Sequence, residues 1–144
     1  MITEEQTRLQ KELLPRGWGR FGKAIDSLTE ISEPDEQLVA ACVTLNPSFQ
    51  HRSVTLAGGL AELTDSTNVV IAATDRRVVV VSTGAGGAPR GHTEIPYVGL
   101  EVVEHAKREV TLRWAEGEAR FRGAAKPMLG PLVDALTARS APPS

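Results

Sequence analysis

The sequence predicts an α+β fold that is mainly β, with about seven antiparallel strands between an N-terminal helical extension and a C-terminal capping helix. Three observations predict this fold class. Apolar residues recur at helical spacing before residue 36, they alternate with polar residues or form short runs after it, and helical spacing returns near residue 126. We therefore divide the chain into an extension (1–35), a β domain (36–139) and a disordered tail (140–144).

The extension contains two predicted helices. Thr3 and Gln6 have the spacing of a capping box, and Leu9 and Leu13 lie four residues apart, on one helical face. Pro15 stops or kinks this first helix. The second helix carries apolar residues at i, i+3, i+4 and i+7, namely Phe21, Ala24, Ile25 and Leu28. A turn over residues 32–35 precedes the first strand.

The middle of the chain is rich in strand-forming residues. LVAACVTL at 38–45 reads as a buried or half-buried strand. Two valine-rich runs follow at 68–73 and 77–82, and we interpret them as an antiparallel hairpin. Because both runs are almost continuously apolar, they are expected to be central strands that are buried on both faces.

Thr74-Asp75-Arg76-Arg77 separates the two valine runs. Asp75 is expected to accept hydrogen bonds from nearby backbone N–H groups in a tight turn. Arg76 and Arg77 begin the return strand and point to opposite faces, so one pairs with Asp75 or another carboxylate while the other reaches solvent or a neighbour. We assign these residues a structural role in fixing the hairpin register.

The remaining elements follow from local patterns. Residues 47–67 give no clear assignment, and the glycine-rich stretch at 83–91 is predicted to be a loop. Short strands are expected at 92–95 and 100–103. A hairpin with one apolar face follows, carrying Val110, Leu112, Trp114, Ala119 and Phe121. The final helix begins near Lys126, and its apolar stripe contains Met128, Leu132, Val133 and Leu136.

Three segments together resemble the bacterial pleckstrin-homology-like domains. They are VVIAATDRRVVVVS, TEIPYVGLEVVE, and an alternating hairpin that ends in ARFRG before a terminal helix. The resemblance covers about residues 36–139. It implies a split barrel of two roughly orthogonal antiparallel sheets with a helix at one end. It also implies binding or scaffolding rather than catalysis, with self-assembly in some members.

Eukaryotic relatives of this family that hold phosphoinositides use a cluster of basic residues after the first strand. Here the corresponding region, 46–67, offers two basic and two acidic residues: His51, Arg52, Glu62 and Asp65. This balance departs from the pattern of the phosphoinositide-binding relatives.

Composition excludes several classes of function. The formal net charge is −2, from 16 basic and 18 acidic side chains, and only 4% of residues are aromatic. This argues against a nucleic-acid partner, which requires surplus cations or stacking platforms. The single cysteine, Cys42, cannot form an internal disulfide and indicates a reducing compartment. With a polar N-terminus and no apolar run long enough to span a bilayer, we expect a cytoplasmic protein.

Candidate catalytic or metal-binding groups form no recognisable pattern. His51, His92 and His105 lack the spacing of metal ligands, and Cys42 is expected to be an inert buried thiol. The glycine-rich stretch at 83–91 lacks the Gly-Lys-Ser/Thr of a phosphate-binding loop. We therefore predict no catalytic residue, no metal and no cofactor, and a protein that is not an enzyme.

The segment PRGWGRFGK at 15–23 is the one unusual stretch, because it interleaves cations and aromatics with three glycines and no acid. Its candidate contact residues are Arg16, Trp18, Arg20, Phe21 and Lys23. Packing of the aromatics onto the barrel is favoured over a membrane-surface contact, and packing against another subunit stays open as a third alternative. We thus predict an interaction or scaffold module that binds a protein partner or itself as a homo-oligomer. The alternative is a peripheral membrane or small-ligand-binding protein that uses this segment.

Overall fold

A computed structural model of the chain describes residues 1–45, 48–51 and 68–140. This part contains three α-helices: α1 (Glu4–Lys11), α2 (Gly22–Ile31) and α3 (Lys126–Arg139). It also contains eight strands: β1 (Leu38–Leu45), β2 (Ser48–His51), β3 (Asn68–Thr74), β4 (Arg77–Thr83), β5 (Pro89–Pro96), β6 (Glu101–Ala106), β7 (Glu109–Trp114) and β8 (Gly117–Phe121). The fold is α+β and mainly β.

The strands form two antiparallel sheets. Sheet A has the order β1-β3-β4-β5 and sheet B the order β2-β8-β7-β6. Because β1 and β2 are separated by only two residues, the segment 38–51 links the sheets. β2 lies at the start of the region that had no assignment from sequence. The expectations for Arg52, Glu62 and Asp65 fall outside the described residues, as does most of the predicted tail.

The valine hairpin is confirmed as the centre of sheet A. β3 pairs with β4 in a register that sets Ile71 opposite Val80 and Ala72 opposite Val79. Every residue from Val69 to Thr74 and from Val78 to Thr83 is buried. Both faces of these strands are therefore covered, as their continuous apolar sequence predicts.

The N-terminal helices lie against sheet A. α1 contacts β1 and α2 contacts β5, so the helix pair reaches both outer strands of the sheet. The predicted apolar stripe is completely buried in the common core, with Ala24 and Ile25 of α2 at 0% exposure, Leu28 at 1%, and Phe21, which immediately precedes α2, at 0%. The amphipathic pattern of the extension thus reflects its packing onto the β domain.

The short helix α1 covers an edge of sheet A with polar groups. The capping box between Thr3 and Gln6 is present, and the helix ends before Pro15. The side-chain oxygen of Gln6 accepts the Leu38 N–H at 3.3 Å, and that of Gln10 accepts the Ala41 N–H at 3.1 Å. The inward side of α1 is therefore largely polar, and Leu9 is 48% exposed rather than part of a buried apolar face.

Sheet B has an apolar inner face and a charged outer face. The five alternating apolar residues of the β7–β8 hairpin are all buried, as predicted. The register sets Val110 opposite Phe121 and Trp114 opposite Gly117. On the outer face, Arg113 pairs with Glu118 at 3.0 Å and with Glu101 at 3.7 Å.

The closing helix α3 contacts β1 and β3 of sheet A and β6 of sheet B. Its predicted apolar stripe is buried, with Pro127 in the first turn and Pro131 inside the helix. Elsewhere the strands are longer than the sequence indicates. β4 and β5 shorten the predicted glycine-rich loop to residues 84–88, because much of that stretch pairs in sheet A.

Candidate functional site

The turn between the valine strands is built around Thr74. Its hydroxyl oxygen accepts the N–H of Arg76 at 3.1 Å and the N–H of Arg77 at 3.0 Å. Asp75 does not accept the turn N–H groups in this way. Its carboxylate instead accepts the N–H of Gln37 at 2.9 Å, and its own N–H donates to the Gln37 carbonyl. The turn is therefore tied to the segment that precedes β1.

Both arginines of the turn pair with carboxylates from that same segment. Arg77 donates from Nε and Nη2 to the two oxygens of Glu36, at 2.9 and 2.8 Å, and also forms an ion pair with Glu94. Its Nη2 further donates to the Ile31 carbonyl at the end of α2. Arg76 donates to Glu33 at 2.7 Å. The structural role of Arg76 and Arg77 therefore includes holding the N-terminal extension against sheet A.

Glu36 is a fully buried carboxylate with 0% exposure. Burial alone raises its pKa, but hydrogen bonds from Arg77, from the Thr74 hydroxyl and from the Glu33 N–H outweigh burial and lower the pKa to about 2. Each carboxylate oxygen accepts two hydrogen bonds from these groups. The Glu36 carboxylate is therefore occupied by hydrogen bonds within the fold and is not available as a general base.

The aromatic residues of segment 15–23 are structural. Phe21 is completely buried, and its ring meets that of half-buried Trp18 edge-on at a centroid separation of 6.1 Å. The Arg20 guanidinium carbon lies 4.4 Å from the Phe21 ring centroid, which is a cation–π geometry. Trp18 also packs against the core. The favoured interpretation, in which these aromatics join the extension to the β domain, matches this packing.

The cations of the segment are exposed. One of them, Arg20, lies against the loop 84–88, which also contacts Arg90: a Cβ on Gly87 would lie 2.6 Å from the Arg20 carbonyl oxygen, and a Cβ on Gly84 would lie 2.9 Å from Arg90 Cδ. We define the basic surface as Arg16, Arg20, Lys23 and Arg90. Among the described residues, none of these four side chains forms a salt bridge.

A second distinct surface lies at the outer edge of sheet B. β6 is the last strand of the sheet, and most of its residues are exposed. A β-bulge between Val102 and Glu104 leaves Val103 as the extra residue, 38% exposed, and Val98 just before the strand is 58% exposed. We define the β6 edge as Val98 together with Glu101–Ala106.

A groove of about 260 Å³ adjoins the β6 edge, between the β6–β7 turn and α3. It is lined by the polar residues His105, Lys107 and Lys126 and by Leu129 and Val133. A larger groove of about 480 Å³ lies between α1 and α2, where Lys11 pairs with Asp26 at 2.9 Å. Both grooves are partly open to solvent and are not enclosed cavities.

The other candidate groups are dispersed. Burial raises the pKa of the Cys42 thiol to about 12, so it stays protonated at neutral pH. His92 lies on β5 and His105 at the end of β6, in different sheets. Over residues 1–45, 48–51 and 68–140, no three His, Cys, Asp or Glu side chains group closely enough to hold a metal ion. No helix in that part of the chain has the length and apolarity to cross a bilayer.

Comparison of the chain with protein-family models, with curated proteins and with solved structures yields no match. The basic surface and the β6 edge are therefore interpreted from their geometry. Sequence patterns single out the three cations of segment 15–23 in the basic surface. They do not single out Arg90, which lies at a register shift in the pairing of β4 with β5. Sequence patterns do not indicate the β6 edge, because the exposure of Val98 and Val103 depends on the order of the strands and on a β-bulge.

Proposed function

We propose that the chain is a non-enzymatic interaction or scaffold module, built on a pleckstrin-homology-like split barrel, that self-associates through the β6 edge in the cytoplasm. A roughly orthogonal packing of the two sheets is part of this proposal. The observation that carries it is the exposure of Val103 on an edge strand, and of Val98 just before that strand, with no further strand beside it in the described chain.

The strand order supports the barrel. If β1 and β2 are counted as one strand that pairs with β3 and then with β8, the described chain has seven strands. That strand joins the two sheets at one side, and α3 contacts both sheets. Two strands that are two residues apart in the chain but belong to different sheets, and a C-terminal helix that contacts both sheets, fit the architecture that the sequence resemblance implies.

The chemical state of the buried reactive groups supports a role without catalysis. Glu36 accepts four hydrogen bonds from its own chain, and Cys42 stays a thiol. Tyr97 donates its hydroxyl to the Thr74 carbonyl, and burial raises the pKa of Tyr97 to about 12. These groups stabilise the fold and are not poised for proton transfer.

The bulge at Val103 determines the kind of contact that the β6 edge can make. A bulge interrupts the regular row of N–H and C=O groups, which disfavours addition of a long strand from another chain. Contact is therefore expected through side chains, with the two exposed valines at the centre of a two-fold interface. Polar residues such as Glu104 and His105 would form its rim.

The oligomeric state in solution tests the proposal. We expect sedimentation velocity to show a dimer or larger assembly for the wild type. Val103→Lys should weaken self-association at least about tenfold, because a lysine ammonium would have to be desolvated at the interface. The matched control is Val39→Lys: Val39 is 36% exposed, similar to Val103, and it also lies at a bulge of an outer strand.

The two variants distinguish an interface at the β6 edge from a general effect of a surface lysine. Dissociation by Val103→Lys alone supports the β6 edge as the interface. A wild type that stays monomeric at high concentration, or a loss of assembly of the same size in Val39→Lys, contradicts it. Thermal melts of both variants verify that each remains folded.

A further inference from the structure

We propose that the basic surface is a docking site for an anionic lipid bilayer, separate from the β6 edge. Three of its four cations, Arg16, Arg20 and Lys23, belong to the N-terminal extension, and Arg90 belongs to β5. The site therefore combines the extension with the β domain. It adds a membrane-surface contact to the proposed protein–protein contact and does not depend on it.

The local charge of this surface is opposite in sign to the net charge of the chain, which is −2. No acidic residue occurs in 13–25 or in 76–93. The nearest carboxylates along the first stretch are already paired, Glu12 with Arg8 and Asp26 with Lys11. Since the Debye length at physiological salt is about 8 Å, a partner at this surface experiences these local cations more than distant acids.

These cations lack a carboxylate partner in the described chain, a state that they share with Lys107, Arg108, Arg120, Arg122, Lys126 and Arg139 but not with five other basic residues. Arg8, Lys11, Arg76, Arg77 and Arg113 each have a carboxylate partner within the described chain. The four side chains of the basic surface have none, although all are exposed and could reach an external anion. A set of exposed cations without internal counterions is suited to an anionic surface supplied from outside.

The shape of the surface favours a broad partner over a small ligand. A Cβ at Gly17, Gly19 or Gly86 would meet nothing within 4 Å, so the backbone between the cations is open to close approach. The two described grooves, between α1 and α2 and beside α3, include none of the four cations. An open surface of this kind fits the plane of lipid headgroups.

The contact is electrostatic and peripheral. Phe21 is wholly buried and Trp18 is held edge-on against it, so neither ring is placed for insertion into the bilayer. Phe21 is therefore a core residue, and the proposed contact is made by the cations of the segment. Binding without insertion should weaken steeply as salt increases, because added ions screen exposed charges.

Vesicle co-sedimentation of the full chain tests this inference. The vesicles contain phosphatidylcholine alone or phosphatidylcholine with phosphatidylglycerol. The test variant is Arg16→Glu/Lys23→Glu, which leaves the structural contact of Arg20 with Phe21 intact. The control is Arg120→Glu/Arg122→Glu, which makes the same change in net charge at two exposed cations at the C-terminal end of β8. Thermal melts verify that both remain folded.

We expect the wild type and the control to sediment with anionic vesicles and not with phosphatidylcholine alone, and we expect added salt to release them. The test variant should bind at least about tenfold more weakly. Equal weakening in both variants would show a general charge effect and overturn the site. The proposal is also overturned if the wild type does not bind anionic vesicles, or if it binds neutral vesicles equally well.

Discussion

The guanidinium of Arg77 holds the buried carboxylate of Glu36 through two hydrogen bonds, Nε to Oε2 at 2.9 Å and Nη2 to Oε1 at 2.8 Å. Arg77 begins β4, and Glu36 lies just before β1, 41 residues away. The Thr74 hydroxyl donates to the same carboxylate at 2.6 Å. The polar turn between two valine strands thus anchors the segment before β1, and Arg76 and Arg77 also reach Glu33 and the Ile31 carbonyl of the extension. These contacts account for the two arginines in an otherwise apolar hairpin.

Removing Arg77 should destabilise the protein strongly. Arg77→Ala leaves the Glu36 carboxylate buried without its main partner, and breaking a buried pair in this way costs about 3–5 kcal/mol of unfolding free energy. Arg76→Ala is the matched control, because Arg76 is 41% exposed and pairs with Glu33 at the surface, where such pairs contribute at most about 1 kcal/mol. Urea denaturation measures both. Equal losses in the two variants would contradict the anchoring role of Arg77.

The Glu36 carboxylate makes the free energy of unfolding depend on pH in the acid range. The pKa of Glu36 is lowered from 4.5 to about 2 in the folded protein, so its contribution is fully present above pH 4.5 and is lost as the pH falls from 4.5 toward 2. The expected loss is about 3 kcal/mol at most. Unfolding free energies measured across this range should fall less steeply in Glu36→Gln, which has no carboxylate to protonate. Parallel curves for the two proteins would refute this origin of the acid sensitivity.

Sequence patterns predict those parts of the fold in which the burial of a residue follows from its local sequence. The valine strands, the α2 stripe and the alternating β7–β8 hairpin each follow from the spacing of apolar residues. The pairing of Glu36 with Arg77 does not, because Glu33, Asp35 and Glu36 are close together in the chain and only the fold selects which carboxylate is buried. Bulges at Val39 and Val103 are equally invisible, since they depend on how neighbouring strands pair.

The central position of β4 makes Val79 intolerant of charge. Val79 is 1% exposed, so Val79→Asp would bury an unpaired carboxylate and should cost about 3–5 kcal/mol of unfolding free energy. Val39→Asp makes the same chemical change at a side chain that is 36% exposed and should cost less than about 1 kcal/mol. Thermal unfolding compares the two. A melting temperature of Val79→Asp within a degree or two of the wild type would mean that this strand is not buried on both faces.

Deleting residues 1–31 should convert the remaining domain into an aggregating species. The deletion removes Phe21, Ala24, Ile25 and Leu28, which are buried in the common core with sheet A, and so exposes apolar surface that a soluble domain rarely leaves open. It also removes Gln6 and Gln10, which accept the N–H groups of Leu38 and Ala41 at the edge of β1. An uncovered edge strand next to an apolar face is a template for pairing with other chains.

Light scattering and sedimentation velocity of the truncated protein measure this effect. A shorter deletion of residues 1–14 is the control, because it uncovers the β1 edge while keeping α2 on sheet A, so it should aggregate less. The competing expectation is that the extension serves membrane contact alone. In that case the protein lacking residues 1–31 would stay folded, keep the wild-type assembly and lose only its binding to anionic vesicles. Such a result would show that α2 does not stabilise sheet A and that the main role of the extension is membrane contact.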